Sequence, residues 1–239
     1  MNSVNLALRS LFKKGRHNVI KIMSLGVGLA MGLVLISKAY FELSYDDFYP
    51  DSNRIYRIQT DAVRHDEGQR FNSISGGVAP GMKAEIPEIE AATRIDNIGE
   101  SVFFTQDKNR YDCKLIFGDT SLFDVLPRTV LSGDVKEILN RPMYAMVSRS
   151  LAEKIGEGSD VVGEVITIDG CPGRNVTIGG VFEDVPENTH LCYDIVLSIS
   201  STGQFFQYDG IDNWLGNDRY WGYVKLYPGV DPKSLASFF

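Results

Sequence analysis

The sequence is poor in the residues on which most active sites depend. Its 239 residues include only three cysteines and three histidines. No CxxC or HxxxH spacing is present, so the ligand pattern of a zinc site is missing. Three cysteines are also too few for a disulfide framework. Cys171 and Cys192 could form one bridge in an oxidising compartment, and the alternative is that all three thiols stay free.

Other motifs that carry chemistry are incomplete. Gly76 and Gly81 have the spacing of a phosphate-binding loop, but Met82 stands where that loop needs a lysine. Residues 209–213 have the composition of a calcium loop without its D-x-D-x-D-G order. No G-x-S-x-G elbow occurs, and the histidines offer no obvious partner for a nucleophile. We therefore predict no catalytic residue, no cofactor, no metal site and no enzymatic activity.

Acidic residues are absent from the first 41 positions, which contain six lysines or arginines, although the whole chain has a net charge of −7. The remainder of the chain is therefore strongly acidic. A net negative charge argues against binding to nucleic acid. Charge asymmetry around an apolar segment is typical of a membrane protein.

That apolar segment is the uncharged run Ile22–Ser37, bounded by Lys21 and Lys38. With its flanks it predicts a transmembrane helix over residues 19–41, about 30 Å long, with both lysines extending to the headgroups. The alternative is a cleaved signal peptide with its cleavage site at Ser37-Lys38-Ala39. Its basic and apolar regions would both be longer than usual.

The flanks of this span predict its orientation. Five basic residues lie between residues 9 and 21, while Glu42 and Asp46 begin an acidic stretch after the span. The positive-inside rule therefore places the N-terminus in the cytoplasm and the large domain outside. Tyr40 and Phe41 suit the outer membrane interface.

Small residues recur every four positions inside the span, at Ser24, Gly28 and Gly32. This spacing predicts a helix face that packs closely against a partner helix, although glycines are also simply common in membrane helices. Before the span, residues 1–18 predict an amphipathic elbow helix on the cytoplasmic leaflet, because leucines and Phe12 share one face beside basic residues.

Residues 42–239 mix strand and helix patterns without a regular β–α–β alternation, which predicts an α+β domain. We expect two lobes, one mixed and one β-rich, the latter over about residues 105–190. The predicted strands cover residues 54–60, 101–106, 110–117, 143–147, 161–168, 175–182, 193–199 and 220–227. The predicted helices cover residues 78–86, 120–126, 134–140 and 148–155.

Eight aromatic residues lie between Phe205 and Tyr227, among them Trp214, Trp221 and Tyr223. Such a cluster could form a platform for a sugar, an apolar ligand or a partner. The alternative is that these side chains belong to the core of half-buried strands, which aromatic residues favour.

Six short segments follow one another along the chain. They are Tyr45–Arg57, which ends in R-I-Y-R; Pro87–Glu90 with Thr93-Arg94; Leu122–Val125 with Gly133-Asp134; Ser148–Gly156; Gly163; and Gly180–His190. In this order they resemble the N-terminal part of a bacterial ABC transporter permease of the MacB/FtsX-like superfamily. The resemblance covers the basic elbow, the first membrane helix and the periplasmic core domain.

The resemblance implies a domain on the periplasmic side of the inner membrane that moves when a separate cytoplasmic ATPase closes. Such permeases often form homodimers or paired subunits, contact membrane lipid, can work with a periplasmic adaptor, and export peptides, lipoproteins or drugs. Family members continue with further membrane helices, whereas this sequence stops at Phe239. We therefore expect a fragment, a truncated form or the product of a degenerate gene, which alone neither transports nor couples to ATP.

Two hypotheses from other classes fit the same topology. A single-pass sensor or ligand-binding extracytoplasmic domain would use the aromatic cluster as its binding surface. A membrane-anchored carbohydrate-binding module is a third interpretation.

Overall fold

The computed structural model describes residues 18–64, 67–156, 160–169, 175–207 and 210–238. Its contacts divide the chain into two compact units, residues 1–46 and 47–239. All but the last residue of the predicted elbow helix lies outside the described residues. So does Cys171, the partner in the bridge considered for Cys192. Cys113 and Cys192 are free thiols.

The first unit contains helix α1, Asn18–Leu43. Residues Val19–Leu43 form a stretch long and apolar enough to cross a membrane, and the rest of the protein buries none of it. A helix of this length extends about 38 Å. The core helix of a soluble protein would be covered by its neighbours, so the exposure of α1 fits a segment that lipid surrounds. The predicted transmembrane segment is confirmed as one apolar helix.

The second unit is built on one mixed sheet of nine strands among the described residues. Its order is β1-β11-β4-β5-β10-β7-β9-β6, and β8 pairs with β4 and β9. The pairs β5–β10 and β7–β9 are parallel, and the others are antiparallel. The strands are β1 (Ile55–Arg57), β4 (Ile89–Thr105), β5 (Arg110–Gly118), β6 (Val130–Ser132), β7 (Tyr144–Ser148), β8 (Val165–Ile168), β9 (Asn175–Phe182), β10 (Ile195–Ser198) and β11 (Trp221–Leu226). A separate hairpin joins β2 (Thr60–Arg64) to β3 (Glu67–Phe71).

Both faces of this sheet are covered, and each has its own hydrophobic core. On the first face, α2 (Val78–Glu85) and α5 (Arg149–Gly156) pack over a core that includes Phe103 and Phe117. On the second face, α3 (Leu122–Val125) and α4 (Val135–Leu139) pack over Ile116, Met146 and Phe182. Successive side chains of a strand point to opposite faces, which explains why neighbours such as Ile116 and Phe117 enter different cores.

Short helical segments complete the unit. They are the helix α6 (Thr202–Phe206) and the 3₁₀ segments Ser52–Arg54, Ile199–Ser201 and Pro232–Phe238. The predicted fold class, an α+β domain after one N-terminal membrane helix, is confirmed. The bounds of the β-rich lobe, about residues 105–190, stay a prediction.

Several local predictions were wrong. Residues 193–199 are predicted as one strand, but β10 covers only Ile195–Ser198, and all four of its side chains are buried. The reason is that β10 lies between β5 and β7 in the middle of a sheet covered on both faces. Residues 161–164 lie outside β8; Gly163 has a φ of 95° in a turn there, so the strand begins at Val165.

Other parts of the sheet were not predicted. Strand β4 begins at Ile89, well before the expected start at residue 101. The first predicted strand, residues 54–60, begins at Ile55 because Arg54 belongs to the 3₁₀ segment Ser52–Arg54. It ends at Arg57, and Thr60 already begins β2. The hairpin β2–β3 and the short edge strand β6 were also missed.

Candidate functional site where the linker joins the sheet

The segment of residues 47–54, here called the linker, leads into β1 and is fastened by Arg54. The Arg54 guanidinium donates to Glu90 Oε2 at 2.6 Å, to the Leu226 carbonyl at 2.7 Å and to Asp51 Oδ2 at 2.6 Å. Glu90 belongs to β4 and Leu226 to β11, so one side chain ties the linker to two sheet strands.

Lys225 of β11 completes this arrangement. Its ammonium lies 3.4 Å from Asp51 Oδ2 and 3.8 Å from Glu90 Oε1, and its side chain is only 10% exposed. We call Asp51, Arg54, Glu90 and Lys225 the linker clamp. The hydrogen bond from Arg54 lowers the pKa of the Asp51 carboxyl, with a smaller contribution from Lys225. The clamp is therefore a balanced set of two cations and two carboxylates.

The linker is also fastened by aromatic side chains. The Arg128 guanidinium lies 4.6 Å from the Phe48 ring centroid and 4.9 Å from that of Tyr49. Arg128 also donates to the Tyr49 hydroxyl at 3.0 Å. Tyr49 is buried in the second core beside Tyr193, whose pKa is raised because it is buried. The linker thus inserts an aromatic anchor into the domain as well as forming the clamp.

This arrangement suits a mechanical role. The described residues contain no group of three or more His, Cys, Asp or Glu side chains that could hold a metal ion. What the site provides is a stiff connection, because moving the linker would separate buried or half-buried ion pairs and withdraw Tyr49 from the core. A displacement of the linker would therefore have to break these contacts or move β4 and β11 with it.

The three aromatic residues singled out for a platform lie in two places, and Tyr208, another of the eight between Phe205 and Tyr227, lies outside the described residues. Trp221 and Tyr223 lie on the second face of β11, where the Arg57 guanidinium is 4.4 Å and 5.9 Å from their ring centroids. Both are half-buried against the second core. Trp214 lies in the loop Gly210–Arg219 before β11, here called the tip loop, and its ring rests on Gly81 of α2.

The tip loop is fastened by residues that the sequence did not single out as site residues. The Arg94 guanidinium donates to the carbonyls of Gly76 and Ile211 at 2.5 and 2.6 Å, and pairs with Asp212 at 2.7 Å. At the end of the loop, Arg219 pairs with the buried carboxylate of Asp96. No local pattern could show these contacts, because Arg94 and Ile211 are 117 positions apart.

The predicted membrane residues lie on α1. Ser24, Gly28 and Gly32 share one face of the helix by their spacing, and a Cβ added at either glycine would meet no atom within 4 Å. Lys21, Lys38, Tyr40 and Phe41 are exposed near the helix ends, and the Phe41 ring packs edge-on against Tyr45 at 5.4 Å. Their packing and interfacial roles stay predictions.

An apolar helix long enough to span a membrane, followed by a two-faced α+β domain, defines the class of membrane-anchored domains. The family model of the MacB-like periplasmic core domain matches residues 20–237. The chain belongs to this family. None of the curated proteins compared with the chain matches it significantly.

Solved structures agree with this assignment. A domain assigned to a permease protein of Porphyromonas gingivalis is 34% identical, with a TM-score of 0.70 and 80% of each chain covered. The periplasmic region of MacB from Actinobacillus actinomycetemcomitans shares the fold, with 12% identity, a TM-score of 0.50, and 66% of this chain and 67% of that one covered. The extracellular domain of the ABC-type transporter YknZ from Gram-positive bacteria also does, with 14% identity, a TM-score of 0.51, and coverage of 70% and 78%.

These matches confirm the predicted family and fold. The chain contains the MacB-like periplasmic domain of the ABC transporter permease family, with an apolar N-terminal helix as its membrane anchor, which is consistent with the inner membrane. A permease component is not itself the enzymatic subunit, and the family implies a cytoplasmic ATPase as its partner.

Proposed function

We propose that this chain is the N-terminal part of a permease subunit that transmits ATP-driven movement of its membrane helices to the periplasmic domain, for export or efflux. The linker clamp is the observation that carries this proposal. Arg54 and Lys225 join the linker to β4 and β11 through Glu90, Asp51 and the Leu226 carbonyl. A connection of this stiffness is needed if displacement of a helix is to become displacement of a domain.

The membrane helix has a matching part in the proposal. Its basic N-terminal flank lies in the cytoplasm, and its lysines and aromatic residues contact headgroups at the two interfaces. The face of Ser24, Gly28 and Gly32 packs against another membrane helix of a homodimer or paired permease. The chain has no catalytic activity of its own, and a periplasmic adaptor is a further partner.

Topology is tested by protease treatment of intact spheroplasts. We expect residues 43–239 to be digested while the basic N-terminus, carrying a small tag, is protected until the membrane is opened. A protected domain together with a digested tag would show the opposite orientation and would contradict the proposed export function.

Coupling between the permease and its cytoplasmic ATPase is tested by producing the full reading frame, including whatever follows Phe239, together with that ATPase. Three further apolar spans in that frame favour the permease, whereas a coiled coil and kinase-like motifs favour the sensor. Failure of the ATPase to associate with the full-length permease would count heavily against the proposal.

The clamp itself is tested in the same complex by hydrogen exchange with and without ATP. We expect ATP to change exchange in β1 and β11 of the parent, and we expect that change to be lost in Arg54→Met. Arg149→Met, which removes an exposed pair with Glu183 elsewhere on the domain, is the matched control. An ATP response that survives Arg54→Met would show that the clamp does not transmit the movement.

A further inference from the structure

The tip loop carries two large apolar side chains where a solvated loop would ordinarily have polar ones. Trp214 is 50% exposed and Leu215 is 88% exposed. Single exposed apolar residues are common on protein surfaces, but adjacent large ones at the end of a loop are typical of interaction surfaces. Tryptophan in particular is enriched among the residues that contribute most to binding.

The loop is held in a fixed shape at its base. Besides the contacts of Arg94, the Gly77 amide donates to the Asn213 carbonyl at 2.8 Å. The Ser75 hydroxyl donates a hydrogen bond to the Asp218 carboxylate, and Arg219 forms an ion pair with Asp96. Because these contacts order the loop when the domain folds, little further entropy is lost when its tip is covered by a partner.

Trp214 is positioned by a single glycine. One side of its ring rests on Gly81 of α2, where a Cβ would overlap the indole. The side chain is therefore supported from below while half of its surface stays accessible. Trp214 is therefore a rigid aromatic anchor at the surface and is not buried as a core side chain would be.

The charges around the tip loop favour some kinds of binding partner over others. The Asp212 side chain is 79% exposed although it pairs with Arg94, Asp218 is also exposed, and the one basic residue of the loop, Arg219, pairs with the buried Asp96. An anionic lipid surface would repel this loop. A second copy of the domain is also disfavoured, because the chain beyond the membrane helix is strongly acidic. A basic polypeptide surface has the complementary charge.

We propose that the tip loop is a docking site for a basic, apolar segment of a protein partner outside the membrane. Trp214 and Leu215 fill an apolar recess in that segment, and Asp212 and Asp218 pair with lysines or arginines at its rim. The proposal does not depend on coupling to an ATPase, so it stands or falls independently of the proposed export function.

The first test uses the full chain in nanodiscs of uncharged lipid, with Trp221→Phe so that Trp214 is the only remaining tryptophan. The probe is a synthetic peptide of alternating lysine and leucine, and its control has glutamate in place of lysine. We expect a saturable blue shift of Trp214 emission with the lysine peptide, at least about tenfold weaker binding of the glutamate peptide, and weaker binding at high salt. Equal binding of both peptides, or no shift with either, would overturn the proposal.

A substitution in the tip loop tests whether the peptide binds there or elsewhere on the acidic surface. Leu215→Ser, at an 88% exposed position, is expected to weaken binding of the lysine peptide at least about tenfold, because it removes the apolar contact without adding charge. Leu131→Ser, at a 42% exposed position on β6, is the matched control and should bind the peptide as the parent does. If the Leu215 variant also binds as the parent does, the tip loop is not the site.

The second test identifies the partner in intact cells of the natural host, with a photoreactive amino acid at position 215 of the full-length protein. Cross-linking to a protein through a segment that combines apolar residues with lysine or arginine supports the proposal. Cross-linking to lipid or to a second copy of the chain, or the absence of an adduct, contradicts it.

Discussion

The two ends of strand β11 are fastened in the same way but serve different purposes. At its carboxyl end, Arg54 binds the Leu226 carbonyl together with Glu90 and Asp51. Near its amino end, Arg94 binds the carbonyls of Gly76 and Ile211 together with Asp212. In both places a guanidinium ties a segment of irregular chain to the sheet through carbonyl and carboxylate oxygens.

What lies beyond each arginine differs. The linker continues into the domain through Tyr49, which is buried in the second core. The tip loop, about 17 Å away along the strand by its length, ends in the exposed side chains of Trp214 and Leu215. One end of β11 therefore joins the linker to the sheet, and the other end carries two exposed apolar side chains. This difference fits the movement that we propose for the linker and the partner that we propose for the tip loop.

The largest expected difference concerns the aromatic residues themselves. Tyr49→Ala should lower the free energy of unfolding by about 3 kcal/mol, because it truncates a buried ring. Trp214→Ala should cost less than about 1 kcal/mol, because half of that side chain is already exposed. Urea unfolding of the full chain, followed by far-ultraviolet circular dichroism, measures both. If both variants lost a similar free energy of unfolding, Tyr49 and Trp214 would not differ as a buried linker residue and an exposed tip-loop residue.

A second comparison concerns the arginine that fastens the tip loop. Arg94 is 8% exposed, and Arg94→Leu leaves two carbonyls without this donor, which should cost about 2 kcal/mol. Asp212→Asn should cost less than about 0.5 kcal/mol, because its side chain faces solvent. Urea unfolding gives both values, and the emission of Trp214 reports whether the loop has moved. A stable Arg94 variant with unchanged emission would show that the loop is held by other contacts.

The two ends should also respond oppositely to pH. The pKa of Asp51 is lowered from its ordinary 3.8 by Arg54, so its contribution to stability is present above pH 3.8 and is lost as pH falls through the folded value. Burial raises the pKa of Asp96 above 3.8 despite its pairing with Arg219. Its contribution is therefore fully present below pH 3.8 and is lost as pH rises through the folded value.

Urea midpoints between pH 2.5 and pH 6.5 test this pair of signs. We expect the urea midpoint of Asp51→Asn to depend less on pH than that of the parent below pH 3.8. We expect the urea midpoint of Asp96→Asn to depend less on pH above pH 3.8. An Asp96 variant with the same pH profile as the parent would mean that burial does not control this carboxyl.

The smallest expected effect is that of Leu215→Lys. Because the side chain is almost fully exposed, the free energy of unfolding should change by less than about 0.5 kcal/mol. A larger loss would mean that Leu215 packs against the domain and is not available to a partner. The same unfolding measurement, with Leu131→Lys as the control, distinguishes the two cases.

Part of this protein could be predicted from the sequence because the signals are local. The membrane helix follows from an uncharged run between lysines, and α2 and α5 follow from residues that begin and end helices. The hairpin of β4 and β5 follows from two strand-like runs around a short turn. The family resemblance also depended on the order of short segments such as Tyr45–Arg57.

The contacts that define the two ends of β11 could not be predicted, because they join residues far apart in the chain. Arg54 meets Leu226 at a separation of 172 positions, and Arg94 meets Ile211 at a separation of 117. The sequence alone determined the anchor, the acidic domain and most helices, since each depends on the composition of a short window. Only the tertiary structure decided that Trp214 is separate from Trp221 and Tyr223, because the tip loop holds Trp214 against Gly81 of α2 whereas the other two share the second face of β11.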